Sequence, residues 1–251
     1  MITIEKTNIF GWEAAIRGMR NPMNSWEKSD SGSCTGDKCF YTGECWNSYY
    51  QKKIDECPLR VFDETGNSPM MKMEGGFNTY IIGENDMNLM KRLRNAGTDH
   101  RKYLRMIHVQ ADIIAPLYWW KEYDTYKVST VANSCSTMHK IHVKEFELSD
   151  FSIEHLNDDV IKKPFKQIID CLNFFRELYL QNKDKDDWWQ MIQLLPTSYN
   201  QKRTVDLNYE NLINMYHARK NHKLDEWREF CEWIETLPYS ELIIGEKKEG
   251  E

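Results

Sequence analysis

The chain has 251 residues, 41% of them hydrophobic, and a formal net charge of −6, so it can bury a core without disulfide or metal staples. Its acidic balance, with no Lys/Arg block, disfavours broad adhesion to polymeric nucleic acid or anionic membrane, yet leaves room for a local basic pocket for one phosphate. The longest apolar stretch, Ile113 to Trp120, is too short to span a bilayer, and Met1-Ile-Thr-Ile-Glu-Lys leads into mixed polar sequence rather than a signal core, so a cytoplasmic protein is expected.

In chain order, residues 9–20 place Trp12, Ala15, Ile16 and Met19 at helical spacing, and Asn21-Pro22 ends that element. A stretch of low regularity runs from about Ser25 to Pro58 and holds Cys34-x4-Cys39-x5-Cys45-x11-Cys57. Two readings stay open for these four residues: a loop with reduced thiols, which the missing C-x2-C knuckle favours, or a structural zinc held by Cys34, Cys39, Cys45 and Cys57. Phe77 to Ile82 reads as a short strand. Asn85 to Ala96 reads as a helix with Leu89, Met90 and Leu93 on one face and Gly97 as its C′ residue.

A helix and a β-type run from Ile107 to Ala115 lead into Asp124 to Ser136, where small polar side chains crowd behind an aromatic run. Unsatisfied buried polar groups cost about 1–3 kcal/mol each, so this density points to a polar ligand. The last hundred residues read as mostly helical. Their apolar faces are Phe165, Ile168, Ile169, Leu172, Phe175 and Tyr179, then Leu212, Met215 and Tyr216, then Leu224, Trp227, Phe230, Cys231 and Ile234. Cys135, Cys171 and Cys231 read as small buried hydrophobes, and residues 246–251 as a flexible tail. Strands interleave with helices without a βαβαβ rhythm, which favours an α+β class in one domain over 1–251.

No Walker A, G-x-G-x-x-G, H-E-x-x-H or G-x-S-x-G pattern occurs. His139-x2-His142 and His217-x4-His222 miss the spacing that aims two imidazoles at one metal. A second polar set comprises Asn208, Asn211, Asn214, His217 and Arg219. On a helix beginning near Leu207, Asn residues at spacing three suit ligand hydrogen bonding or, equally, an N-cap at Asn208 followed by solvated amides.

From Leu195 to Arg219 the chain resembles the late segment of the flavin-dependent thymidylate synthases, with matches at Leu195, Pro196, Asn208, Leu212, Asn214 and Arg219. Ala115-Pro116 and the following aromatics resemble the family's passage into its Arg-His-Arg motif. Asn133-x-x-Ser136 is similar to the Asn-Glu-x-Ser that follows, and His100 falls near the His of the preceding block. The resemblance covers roughly residues 77–236, with the Cys-bearing residues 25–60 as an insertion. Thr125-Tyr126-Lys127 stands in place of Arg-His-Arg, Ser134 in place of Glu, Met138-His139 in place of Arg-Tyr, Glu210 in place of an Arg, and Ile192 in place of another. Lys127 can replace one arginine as a point charge but not as a fork; Lys140 and Arg203 are further cations.

The resemblance implies an α+β fold with a central antiparallel or mixed sheet and packed helices. It also implies FAD as cofactor and one-carbon transfer from methylene folate, with NADPH, to C5 of dUMP or a related pyrimidine nucleotide. By carry-over His100, Lys127, Asn133, Asn208 and Asn214 would contact the cofactor, and Ser136, Arg219 and Lys127 the nucleotide. A homotetramer is implied as well. The alternative, motivated by the missing arginines, is a non-catalytic nucleotide-binding or assembly protein on the same fold.

Overall fold

The computed structural model describes residues 1–34 and 79–245. Within these, the chain forms two compact units. The first contains Met1–Thr7, Gln110–Leu207 and the described residues from Asn211 onward; the second contains the described residues of Asn8–Val109 together with Asn208–Glu210.

The sheet of the first unit has the strand order β1-β4-β6-β5, where β1 is Thr3–Phe10, β4 His108–Pro116, β5 Val131–Ser134 and β6 Asn200–Asn208. β5 and β6 are antiparallel, with Val131 opposite Asp206 and Ser134 opposite Arg203. Period-two alternation on β4 and β6 separates two faces. Ala111, Ile113, Ala115, Val205 and Leu207 are buried, whereas Gln110, Asp112, Lys202, Thr204 and Asp206 form a polar network. In it Gln110 Nε2 donates to Asp206 at 2.8 Å and Thr204 Oγ1 to Asp112 at 2.6 Å. Lys202 Nζ lies 3.0 Å from Asp112. The Thr204 hydroxyl and the Lys202 ammonium hold the Asp112 carboxyl down at about 2.

Helices α3 (Leu117–Tyr123), α4 (Asp159–Asn182), α5 (Lys185–Leu194), α6 (Tyr209–Arg219), α7 (Asp225–Glu235) and α8 (Glu241–Ile244) follow. The α4 face predicted from spacing is real: Ile169 and Leu172 are buried with Ile141, Phe146, Phe151 and Met191, and Phe165, Ile168, Phe175 and Tyr179 pack at the margin. On α7, Trp227, Phe230, Cys231 and Ile234 are buried.

In the second unit α1 (Trp12–Arg20) buries Trp12, Ala15, Ile16 and Met19. Gly11, just before it, has φ +97° and lies so close to Met106 that a Cβ would sit 1.9 Å from its carbonyl oxygen, an approach only glycine permits. β2 (Gly32–Cys34) pairs antiparallel with β3 (Thr79–Ile81), and α2 (Glu84–Asn95) follows with Gly97 at φ +109° just past its end. Buried Arg20 donates from Nε to buried Asp86 at 2.6 Å, and the hydroxyls of Ser29 and Ser31 donate to the other carboxylate oxygen at 2.7 and 2.6 Å.

Several expectations are corrected. The N-terminal β1 has no strand signal strong enough to precede the helix pattern at Trp12. Asn208 ends β6 instead of standing on the following helix, so Asn208, Asn211 and Asn214 do not share one helix; β6 carries the alternation Gln201, Val205, Leu207 that hides behind its polar neighbours. The segment read as mostly helical also contains that strand. Cys135 and Cys171 are exposed and only Cys231 is buried, because the first follows edge strand β5 and the second points away from the α4 core face. Cys39, Cys45 and Cys57 lie outside the described residues, and among the described residues no group of three or more His, Cys, Asp or Glu is placed to hold a metal.

Candidate functional site

The site grows from the aromatic run. Pro116 delivers the chain from β4 into α3, whose first two N–H groups donate to the carbonyls of Tyr199 and Thr197 at 3.0 Å each. Trp119, Trp120 and Tyr123 are then buried at helical spacing. Trp119 packs against Trp227 and Phe230 with ring centroids 4.8 and 5.6 Å apart, and Trp120 Nε1 donates to the Gln201 carbonyl at 2.9 Å. This anchoring fixes the direction in which Glu122 and the turn after Tyr123 leave the helix. Ser129 completes the turn at φ +60°, and Asn211 Nδ2 donates to the Val128 carbonyl at 2.8 Å.

Between this turn and the sheet edge lies a cavity of 360 Å³ lined by Tyr123, Asp124, Tyr126, Lys127, Thr130, Ala132 and Arg203. Its volume falls near the lower end of the roughly 300–1,000 Å³ usual for small-molecule sites. Arg203 is held in place by Gln201 Oε1 at 3.0 Å from Nε, by Asp124 Oδ1 at 2.7 Å from Nη1, and by the Trp120 ring 4.3 Å beneath its guanidinium. Lys127 is exposed and makes no ion pair among the described residues. The Tyr123 hydroxyl is buried and has no hydrogen-bond partner among the described residues; burial pushes this phenol well above its ordinary range. A cation, hydroxyls and an unsatisfied buried phenol around one cavity suit an anionic, hydrogen-bonding ligand.

Beside Tyr126 stands Arg219, at the end of α6. Its Nε donates to the Tyr126 hydroxyl at 2.9 Å and its Nη1 to Glu122 Oε2 at 2.6 Å, with the Trp227 ring 4.7 Å from the guanidinium carbon. Trp227 Nε1 reaches the same Glu122 oxygen at 3.0 Å, and His222 Nε2 lies 3.4 Å from it. Three nitrogen groups thus converge on one carboxylate oxygen. Glu122 holds the position that an anionic ligand of Arg219 would take.

Of the residues singled out from sequence, Lys127 lines the cavity and Arg219 joins it through Tyr126. Ser136 is exposed, and its Oγ accepts from the backbone N–H groups of Met138 and His139 at 3.2 and 2.8 Å. Asn133 lies on β5 opposite Thr204, so alternation sends it to the face away from Ala132. Asn214 is exposed on α6 and Lys140 is exposed in the segment after β5. His100 and Asn208 belong to the second unit, the first exposed and the second buried. There too, Glu210 is buried and paired with Arg101, whose Nε is 2.9 Å from one carboxylate oxygen. Ile192 packs at the margin of the α4 core. Sequence reasoning missed Glu122, Tyr123 and Trp227. The only signal was an acid set among consecutive aromatics, and nothing in the linear order ties Glu122 to an arginine 97 positions later.

No protein-family model matches the chain, and no curated protein is similar to it in sequence. Solved structures do match. Thymidylate synthase X from Helicobacter pylori, crystallised with FAD and dUMP, superposes with a TM-score of 0.59 at 16% identity, covering 96% of this chain and 97% of that one. A second structure of the flavin-dependent enzyme from Helicobacter pylori, also complexed with FAD and dUMP, gives 0.58 at 15% identity with the same coverage. The chain therefore has the α+β fold of the flavin-dependent thymidylate synthases over nearly its whole length.

Proposed function

We propose that this protein binds a pyrimidine deoxynucleotide monophosphate, dUMP or a related nucleotide, in the cavity beside α3. With FAD, methylene folate and NADPH it transfers a one-carbon unit to C5 of that nucleotide. The observation that carries this reading is the cavity itself: Lys127 and the phenol of Tyr123, both without a partner among the described residues, and Arg203 held over Trp120 surround a space suited to a mononucleotide. The two Helicobacter pylori structures of this fold are complexes with FAD and dUMP, which supports the choice of ligand. One uncommitted ammonium matches a monophosphate better than the diphosphate of FAD, so the cavity is assigned to the nucleotide. Within the first unit the flavin would meet the exposed side chains of Asn133 and Asn214, which can donate to its polar edges but do not neutralise its phosphates. Bound flavin supplies the hydride chemistry; the chain's own residues bind and orient the nucleotide. A homotetramer and a cytoplasmic location complete the proposal.

A second reading has its own observation. Arg219 is already paired with Glu122 and Arg203 with Asp124, which favours a nucleotide-binding protein on this fold without turnover. Absorbance of the pure protein between about 350 and 500 nm, where flavins absorb, thermal shift with dUMP or dCMP, and assay with methylene folate and NADPH separate the two. A flavin band with product formation supports the enzyme. A nucleotide shift without either supports the binding protein, and no flavin and no shift removes both.

A further inference from the structure

A second cavity, of 540 Å³, lies in the first unit between the first half of α4 and the segment 145–148, within the roughly 300–1,000 Å³ usual for small-molecule sites. Two contacts pin that segment to the helix. The Asn173 side chain accepts from the Phe146 N–H at 2.8 Å and donates to the Phe146 carbonyl at 2.9 Å, and further back along α4 the rings of Phe151 and Phe165 meet at 5.4 Å. From Phe165 to Asn173 the axis advances about 12 Å, and the groove runs alongside that span. Its floor is apolar. Phe146 and Ile169 are buried beneath it, and Leu148, 48% exposed, leaves apolar surface along its wall.

The two ends of the groove carry opposite charge. Lys162, Lys163 and Lys166 line it from the first two turns of α4, whereas Asp170, a turn further on, and Glu145, next to Phe146, line the end pinned by Asn173. None of these side chains makes an ion pair among the described residues, while Glu147, the remaining charge of the lining, is held by Lys144 at 3.6 Å. Lys166 and Asp170 stand four positions apart with the cation first, the order that favours helical pairing less. We propose that the groove binds a zwitterion, an ω-amino carboxylic acid. Its carboxylate lies among the three lysines, its ammonium beside Asp170 and Glu145, and its methylene chain over Phe146, Leu148 and Ile169. Lys166 and Lys162 precede Asp170 by about 6 and 12 Å along the axis, a separation that several methylenes bridge. A simple fatty acid would leave its tail between the two acids, and a simple amine would leave its own among the lysines, so only a ligand with both charges answers both ends. The proposal is independent of the nucleotide reading, since the two cavities share no residue.

Ligand-observed NMR titration with ω-aminooctanoate, octanoate and octylamine tests the groove. The zwitterion should bind at least about threefold tighter than either singly charged analogue, the scale set by exposed ion pairs. In Glu145→Gln/Asp170→Asn protein its advantage over octanoate should vanish, and in Lys162→Gln/Lys166→Gln protein its advantage over octylamine. All four side chains are exposed, so these variants keep the core, which circular dichroism melts check. Saturating dUMP should leave the bound zwitterion in place, and the groove's result is read the same way whether or not dUMP binds at all. No binding of ω-aminooctanoate, equal affinity for the three compounds, tighter binding of octanoate or octylamine, preferences unmoved by the substitutions, or displacement by dUMP overturns the proposal.

Discussion

Arg219 and Glu122, 97 positions apart in the chain, meet at 2.6 Å between Nη1 and Oε2, and Trp227 donates to that same oxygen at 3.0 Å. A phosphate approaching Arg219 must displace a carboxylate that already satisfies it. Replacing Glu122 by Gln keeps the shape and removes the charge, so nucleotide affinity should rise about tenfold, near 1.4 kcal/mol, as measured by calorimetry with dUMP. Arg219→Ala should weaken binding by about 1.5–3 kcal/mol. Equal affinities for all three proteins would remove Arg219 from the ligand's surroundings.

Asp86 and Arg20 form a buried pair that holds α1 and α2 in register. Arg20→Met strands the Asp86 carboxylate, and urea denaturation should reveal a loss of about 3–5 kcal/mol. A loss under 1 kcal/mol would mean that the serine hydroxyls suffice.

The same carboxylate predicts an acid limb of stability. Burial alone would raise its pKa, but the hydrogen bonds from Ser31, Ser29 and Arg20 outweigh that and hold it below the ordinary 3.8. The unfolded chain therefore takes up the proton first as pH falls. The stabilisation is full above about pH 4 and is lost as pH drops through the folded value. Thermal melts at pH 6, 4 and 3 should show this fall, and Asp86→Asn should flatten it.

Thiol reactivity distinguishes Cys135, Cys171 and Cys231. Cys135 and Cys171 are exposed, whereas burial, with Glu235 and Glu232 nearby, pushes Cys231 up to about 12. In native protein at pH 8, mass-mapped alkylation should label the first two rapidly and Cys231 only on unfolding. Metal analysis of wild-type and Cys34→Ser protein decides the zinc reading: metal in the first and not in the second supports it, and metal in neither disposes of it.

Much of the local structure was legible. The spacing of Trp12, Ala15, Ile16 and Met19, of Leu89 and Met90, and of Ile169 and Leu172 predicted the helices α1, α2 and α4 because burial demands one apolar face per helix. β6 was harder to see, since one of its faces is polar: Lys202, Thr204 and Asp206 pair with Asp112 and Gln110 on a neighbouring strand, and such partners have no trace in the linear order. Cys171 was misread as core for a related reason. α4 carries two apolar rows, and spacing alone does not say which one the molecule covers.

The sequence by itself determined the α+β class and the apolar faces of α1, α2 and α4, because residue type and short-range period suffice for these, whereas Thr125-Tyr126-Lys127 in place of Arg-His-Arg is what the resemblance implies. Only the tertiary structure decided that Glu122 neutralises Arg219, that Asp124 restrains Arg203 over Trp120, and that Tyr123 presents an unsatisfied phenol at a cavity. Those are relationships between side chains far apart in sequence. Electrostatic pairing depends on distances of a few ångströms, which the folded chain sets and no spacing pattern encodes.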